Sequence, residues 1–178
     1  QLRTISQIIK PQVTMEGAGV RLLRSIAPKT SNHFDPFLLF DHFAFNDPLE
    51  GPLRGFPYHP HRGIETVTYM LEGSVNHRDS LGNAGVIGPG DVQWMSAGRG
   101  ILHEEMPRRG PSGNIYGFQL WVNLPRASKM SAPGYQTILN ADIPAIELEG
   151  GAGRLRVIAG SFRGRKGPAN TFTPVELY

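Results

Sequence analysis

The chain has 178 residues, 39% of them apolar, a formal charge of +3, a sequence pI of about 9.4 and no cysteine. That length suits one well-cored domain, and the lack of cysteine excludes disulfides, thiolate nucleophiles and thiolate metal ligands, leaving histidine and carboxylate for metal chemistry. No apolar run approaches the roughly 20 residues a membrane span needs and no leader pattern is visible, so a soluble, intracellular protein is expected; the scattered arginines, with one compact cluster at Arg163-Gly164-Arg165-Lys166, read as solvated surface and not as a nucleic-acid interface.

With 22 glycines and 15 prolines the chain is rich in turn formers, which favours many short strands over long helices. In chain order, residues 19–26 alternate as a strand and 27–35 read as a loop. Phe37-Leu38-Leu39-Phe40 is a short apolar run consistent with a buried strand. Residues 44–57 read as a loop. The β-branched and aromatic stretch 64–71 is a strand turned at Glu72-Gly73, with 75–79 as its return. Further strands are expected at 85–87, 92–95 and 101–103, separated by Gly88-Pro89-Gly90-Asp91 and Gly98-Arg99-Gly100. Tyr116-Gly117-Phe118-Gln119-Leu120-Trp121-Val122-Asn123-Leu124 is the strongest strand pattern, ended by Pro125. Residues 154–159 form another, and 173–178 begin one more. Short strands at this spacing point to an all-β sandwich or barrel.

The chemistry sits in two short segments, His59-Pro60-His61 and His103-Glu104-Glu105. Side chains at i and i+2 of a strand share a face. Two neighbouring strands would therefore aim His59, His61, His103 and Glu105 into one space. Three imidazoles and a carboxylate suit iron, manganese, nickel, copper or zinc and leave open positions in an octahedral shell.

The segment Gly55-Phe56-Pro57-Tyr58-His59-Pro60-His61-Arg62-Gly63-Ile64-Glu65-Thr66-Val67 closely resembles the first motif of the pirins, a family of the cupin superfamily of small β-barrels. Three further stretches resemble the family in the right order. They are Asp35-Pro36-Phe37-Leu38-Leu39-Phe40-Asp41-His42-Phe43; the run from Gly90-Asp91-Val92-Gln93-Trp94-Met95 to His103-Glu104-Glu105-Met106; and Gln119-Leu120-Trp121-Val122-Asn123-Leu124-Pro125. The resemblance implies a jelly-roll-like cupin barrel, with His59, His61, His103 and Glu105 as ligands, usually to Fe(II). It leaves Glu104 pointing outwards and Glu65 as a supporting or structural carboxylate, with a ligand role as the alternative. Pirins resemble a double barrel. Residues 1–130 are accordingly expected to form the metal-binding barrel and 131–178 a linker with strands leading towards a second cupin domain that is truncated or absent. Strand edges left bare would favour a homodimer.

Among the other candidates, Asp41, in Asp41-His42-Phe43, is read as an acceptor for a histidine N–H or as part of a structural turn, and Gln93, Trp94 and Met95 as pocket residues or plain core. Phe43, Phe45 and Phe56 are read as an apolar mouth, His77 as a surface or rim residue and His33 as a loop residue. Two functions are implied by the resemblance. One is a quercetin 2,3-dioxygenase-type reaction on a flavonol, with Glu105 as the base. The alternative is a redox-sensitive, iron-binding transcriptional co-regulator acting on a protein partner.

Overall fold

The computed structural model describes residues 4–27, 33–44 and 54–178. Phe45 and most of the loop expected at 44–57 lie outside them. In chain order the strands are β1 (Gln12–Glu16), β2 (Val20–Ile26), β3 (Phe37–Ala44), β4 (Phe56–His61), β5 (Ile64–Glu72), β6 (Ser74–Asp79), β7 (Ala84–Ile87) and β8 (Val92–Ser96). There follow β9 (Ile101–Arg108), β10 (Tyr116–Asn123), β11 (Gly134–Ile138), β12 (Ala145–Leu148), β13 (Gly153–Arg156), β14 (Ser161–Phe162) and β15 (Arg165–Lys166). Three short 3-10 turns are the described helical pieces, and none is long and apolar enough to cross a membrane.

Two antiparallel sheets face each other. One has seven strands in the order β1-β2-β3-β10-β5-β8-β11, the other four in the order β4-β9-β6-β7. Strand alternation divides the larger sheet into two chemically different faces. Val67, Val92, Trp94, Leu120 and Val122 point outwards and pack with Ile138, Ile143, Ile158, Ala159 and Ala169 from the C-terminal part of the chain. That part doubles back far enough for Ala159 to bridge Leu177. Beyond residue 130 the chain thus continues along the barrel: β11 is an edge strand of the large sheet, paired with β8.

The inward face meets the small sheet. Leu22, Phe43 and Met70 there pack with Val75 and Ile87 of β6 and β7. Because β8 is covered on both faces, all five of its residues are buried. The sharp reversal between β5 and β6 uses Gly73 at φ +73°, where an added Cβ would sit 2.6 Å from the Arg108 carbonyl oxygen. Strands β1, β11 and β12 are only 5, 5 and 4 residues long and mostly exposed or half-buried, so sequence pattern alone passes over them.

Candidate metal centre

Strands β4 and β9 pair so that His59 lies opposite His103 and Pro60 opposite Leu102. Alternation turns His59, His61 and His103 to the inside, while Tyr58 and Leu102, 51% and 46% exposed, face solvent on the back. The imidazoles of His59, His61 and His103 form one cluster whose candidate ligand atoms lie within 4.8 Å of one another. Their ring centroids are 4.5, 4.8 and 4.9 Å apart.

The proton positions favour a cation in that space. His59 Nδ1 is 2.8 Å from the Pro57 carbonyl oxygen, which can only accept, so Nδ1 carries the proton and Nε2 presents a lone pair inwards. That Nε2 lies 3.0 Å from His103 Nε2. His61 Nε2 is buried and has no hydrogen-bond partner. Burial, reinforced by the neighbouring imidazoles, pushes His61 down to about 4 and His103 to about 3. Both rings are therefore neutral near pH 7, the form that ligates metal. Three converging imidazoles, with the buried His61 Nε2 lacking any hydrogen-bond partner, are the donor set a first-row divalent ion fits.

Glu105 follows two residues after His103 on the same face of β9, yet its carboxylate stands outside the 4.8 Å cluster. It is buried and held from the opposite sheet. Thr68 Oγ1 donates to Oε1 at 3.2 Å, and Gln119 Nε2 donates to Oε1 and Oε2 at 3.3 and 3.1 Å. Gln119 Oε1 in turn accepts from Trp121 Nε1 at 3.1 Å, and the Trp121 ring meets His61 edge-on at 5.1 Å. Thr68, Gln119 and Trp121 escape a search of the sequence for ligands. The usable signal was that Gln119 interrupts the apolar β10 at an inward position.

Other expectations resolve as follows. Glu104 points away from the cluster and pairs with Arg78 on β6. Glu65 is fully buried on the outward face of β5, accepting from Ser96 Oγ at 2.6 Å, and burial raises its pKa. Asp41 serves Arg24 and no histidine: Arg24 Nε and Nη2 donate to its two oxygens, each at 2.7 Å. Trp94 belongs to the outer core, whereas Gln93 and Met95 face inwards on the same strand. His33 is exposed in a turn, as expected. His77 is not a rim residue: it is 5% exposed, lies opposite Glu105 in the β6–β9 register and packs on the Tyr135 ring at 5.3 Å. Its polar strand hid an inward face that closes on the site.

A cleft of about 850 Å³ opens on the cluster. His59, His61 and Trp121 line one part, Glu16, Arg24 and Asp41 another, with Leu22, Leu39, Phe43 and Phe56 supplying apolar wall. Phe43 and Phe56 thus do border the mouth.

A two-sheet antiparallel barrel with clustered histidines on adjacent strands defines a cupin. The family model described as Pirin matches residues 19–122, and the chain belongs to the pirin family. It is 52% identical over 168 residues to a pirin-like protein of Caulobacter vibrioides, an overlap of 94% of this chain and 60% of that protein. It superposes on the crystal structure of a quercetin 2,3-dioxygenase from Acinetobacter baumannii with a TM-score of 0.83 and 40% identity, over 94% of this chain and 60% of that one. The bacterial pirin YhhW of Escherichia coli, solved in complex with nickel(II), matches at 26% identity and a TM-score of 0.55, over 71% of this chain and 53% of that one. The chain thus spans 60% or less of the length of these relatives.

Proposed function

We propose that this chain carries the metal centre of a dioxygenase of the quercetin 2,3-dioxygenase type, acting on a planar flavonol. The observation that carries the reading is the convergence of His59, His61 and His103 beside a cleft of about 850 Å³ that His59 and His61 line and whose wall is in part apolar and aromatic. The likeness to the Acinetobacter enzyme supports it.

In this reading His59, His61 and His103 hold the ion and Glu105 is its fourth ligand. Fe(II) is the expected ion; manganese, nickel, copper and zinc suit the same donors, and the YhhW complex favours a divalent first-row metal. When bound, the metal supplies a Lewis-acid site at which an enolic hydroxyl and dioxygen are brought together. The protein's own part is positioning and proton transfer. Glu105, the buried carboxylate on the same face of β9 as His103, accepts the proton of the substrate 3-hydroxyl. Thr68 and Gln119 fix that carboxylate from the opposite sheet. Trp121, Leu39 and Phe56 clamp the ring system and keep water from its reacting edge.

The test is dioxygen uptake on adding quercetin to anaerobically iron-loaded protein, with His103→Ala as control. Uptake that disappears in the variant is the expected result. Protein that holds iron but consumes no dioxygen, with any flavonol, would sink the reading.

One observation favours the alternative, a redox-sensitive iron-binding transcriptional co-regulator. The strands that present the histidines inwards expose Tyr58, Leu102 and Met106 on their backs, so the ion and a contact surface share β4 and β9. A partner that binds the ferric and ferrous forms with different affinity would select this reading.

A further inference from the structure

The far wall of the cleft carries charges that the proposed chemistry does not use. Glu16, Arg24 and Asp41 come from three successive strands, β1, β2 and β3, and all three line the same cleft as His59 and His61. Arg24 is directly opposite Asp41 in the β2–β3 register, and Asp41 is directly opposite Gln119 in the β3–β10 register. Arg24 therefore stands two strand spacings, ~10 Å, from the Gln119 that touches Glu105.

The three side chains are graded in freedom. Asp41 is 4% exposed and grips the guanidinium through both oxygens, which fixes its plane. Glu16 Oε1 accepts from Arg24 Nη1 at 2.8 Å, but the Glu16 side chain is 42% exposed and sits on an edge strand. The row sets two carboxylates against one guanidinium, and Lys10, exposed to solvent, lines the same cleft. A carboxylate can accept several hydrogen bonds, so Glu16 keeps acceptor capacity after serving Arg24, and Arg24 keeps N–H groups beyond the three that bind carboxylate.

We propose that the Glu16–Arg24–Asp41 row is the substrate-selecting end of the cleft and recognises a neutral ring bearing vicinal phenolic hydroxyls. One hydroxyl donates to the Glu16 carboxylate and its neighbour accepts from Arg24. A carboxylate in place of the donating hydroxyl would meet the Glu16 carboxylate as acceptor against acceptor, which disfavours it. This rests on the flavonol reading: the end bearing the 3-hydroxyl sits at the histidines, the apolar wall covers the middle, and the pendant ring reaches Arg24.

The experiment is anaerobic calorimetry on zinc-loaded protein, which binds without turnover. Three flavonols are compared: quercetin, an analogue lacking both hydroxyls of the pendant ring, and one with a carboxylate on that ring. A hydrogen bond to a charged group is worth about a factor of ten, so the wild type is expected to prefer quercetin over the bare analogue about tenfold, with the carboxylate weakest. Glu16→Ala should remove most of the quercetin preference over the bare analogue and Glu16→Gln should restore part of it, both with full zinc content. Arg24→Lys, which keeps the charge but not the fork, is the second probe. A wild-type preference near one, or a preference untouched by Glu16→Ala, overturns the proposal while leaving the flavonol reading standing. If no flavonol binds the zinc-loaded protein, the flavonol reading fails and the proposal falls with it.

Discussion

The two faces of the seven-stranded sheet differ in chemistry: the outer one is covered by apolar packing, the inner one borders a cleft. Under the C-terminal part of the chain lie Trp94, Val122, Ile158 and Ala159, each no more than 3% exposed, packed carbon against carbon. On the inner face, the same strands β5 and β10 present Thr68, Gln119 and Trp121 to buried histidines and to Glu105. A buried polar atom without a partner raises the free energy of the fold, and His61 Nε2 and His103 Nδ1 are two such atoms. The outer layer supplies apolar burial that offsets this, and the inner chamber holds groups arranged for an ion. Stability and chemistry are thus separated by the thickness of one sheet.

The largest expected effects test that separation directly. His61→Ala or His103→Ala should remove metal binding, read as loss of bound iron by elemental analysis, while the fold survives. Trp94→Ala should do the reverse. Truncating a fully buried tryptophan costs ~3–5 kcal/mol, so the denaturation midpoint should drop steeply while the folded fraction keeps its iron. If Trp94→Ala released iron from folded protein, the two faces would be coupled and the comparison broken.

How far this separation is visible in the sequence differs between the faces. The histidines are legible because His-x-His and His-x-Glu place ligands on one face by local geometry alone, although the β4–β9 pairing that joins them is made across intervening strands of both sheets. Trp94 could not be sorted between pocket and core, because β8 is buried on both faces and apolar periodicity then loses its meaning. The same ambiguity conceals Gln119 and Thr68: their roles arise from which sheet face meets the small sheet, a tertiary fact. His77 was misread because the polar residues of β6 look like a solvent-facing strand, whereas Val75, His77 and Asp79 all turn inwards. Strand β1, with Val13 and Met15 exposed, lacks the buried alternation that would mark it.

A moderate effect concerns pH, where the inner chamber has a definite sign. In metal-free protein His61 and His103 titrate near 4 and 3, below the ordinary histidine value of 6.5. The unfolded chain binds those protons first. The stability of the neutral, buried rings is therefore complete above pH 6.5 and is lost as the pH falls towards 4. The thermal midpoint of metal-free protein should decline across that window. A flat profile between pH 7.5 and 4.5 would mean that the imidazoles are reached by water.

The outer face holds a buried carboxyl whose titration runs the other way. Glu65 is fully buried beneath the outer core, and burial raises its pKa against the partial help of the Ser96 hydroxyl. A carboxyl whose folded pKa is raised contributes stability at low pH that disappears as the pH rises through that pKa. Near neutrality Glu65 is a burden to the fold, and Glu65→Gln, which keeps an acceptor for Ser96 without the charge, should relieve it. A gain of ~1 kcal/mol would raise the midpoint by about 2–4 °C for a chain of this size. The gain should shrink as the pH is lowered towards 4.5, because the wild-type carboxyl then becomes neutral by itself. Iron content should not change, since Glu65 lies across the sheet from the histidines. If Glu65→Gln instead lost iron, the carboxylate would belong to the chamber despite its outward placement.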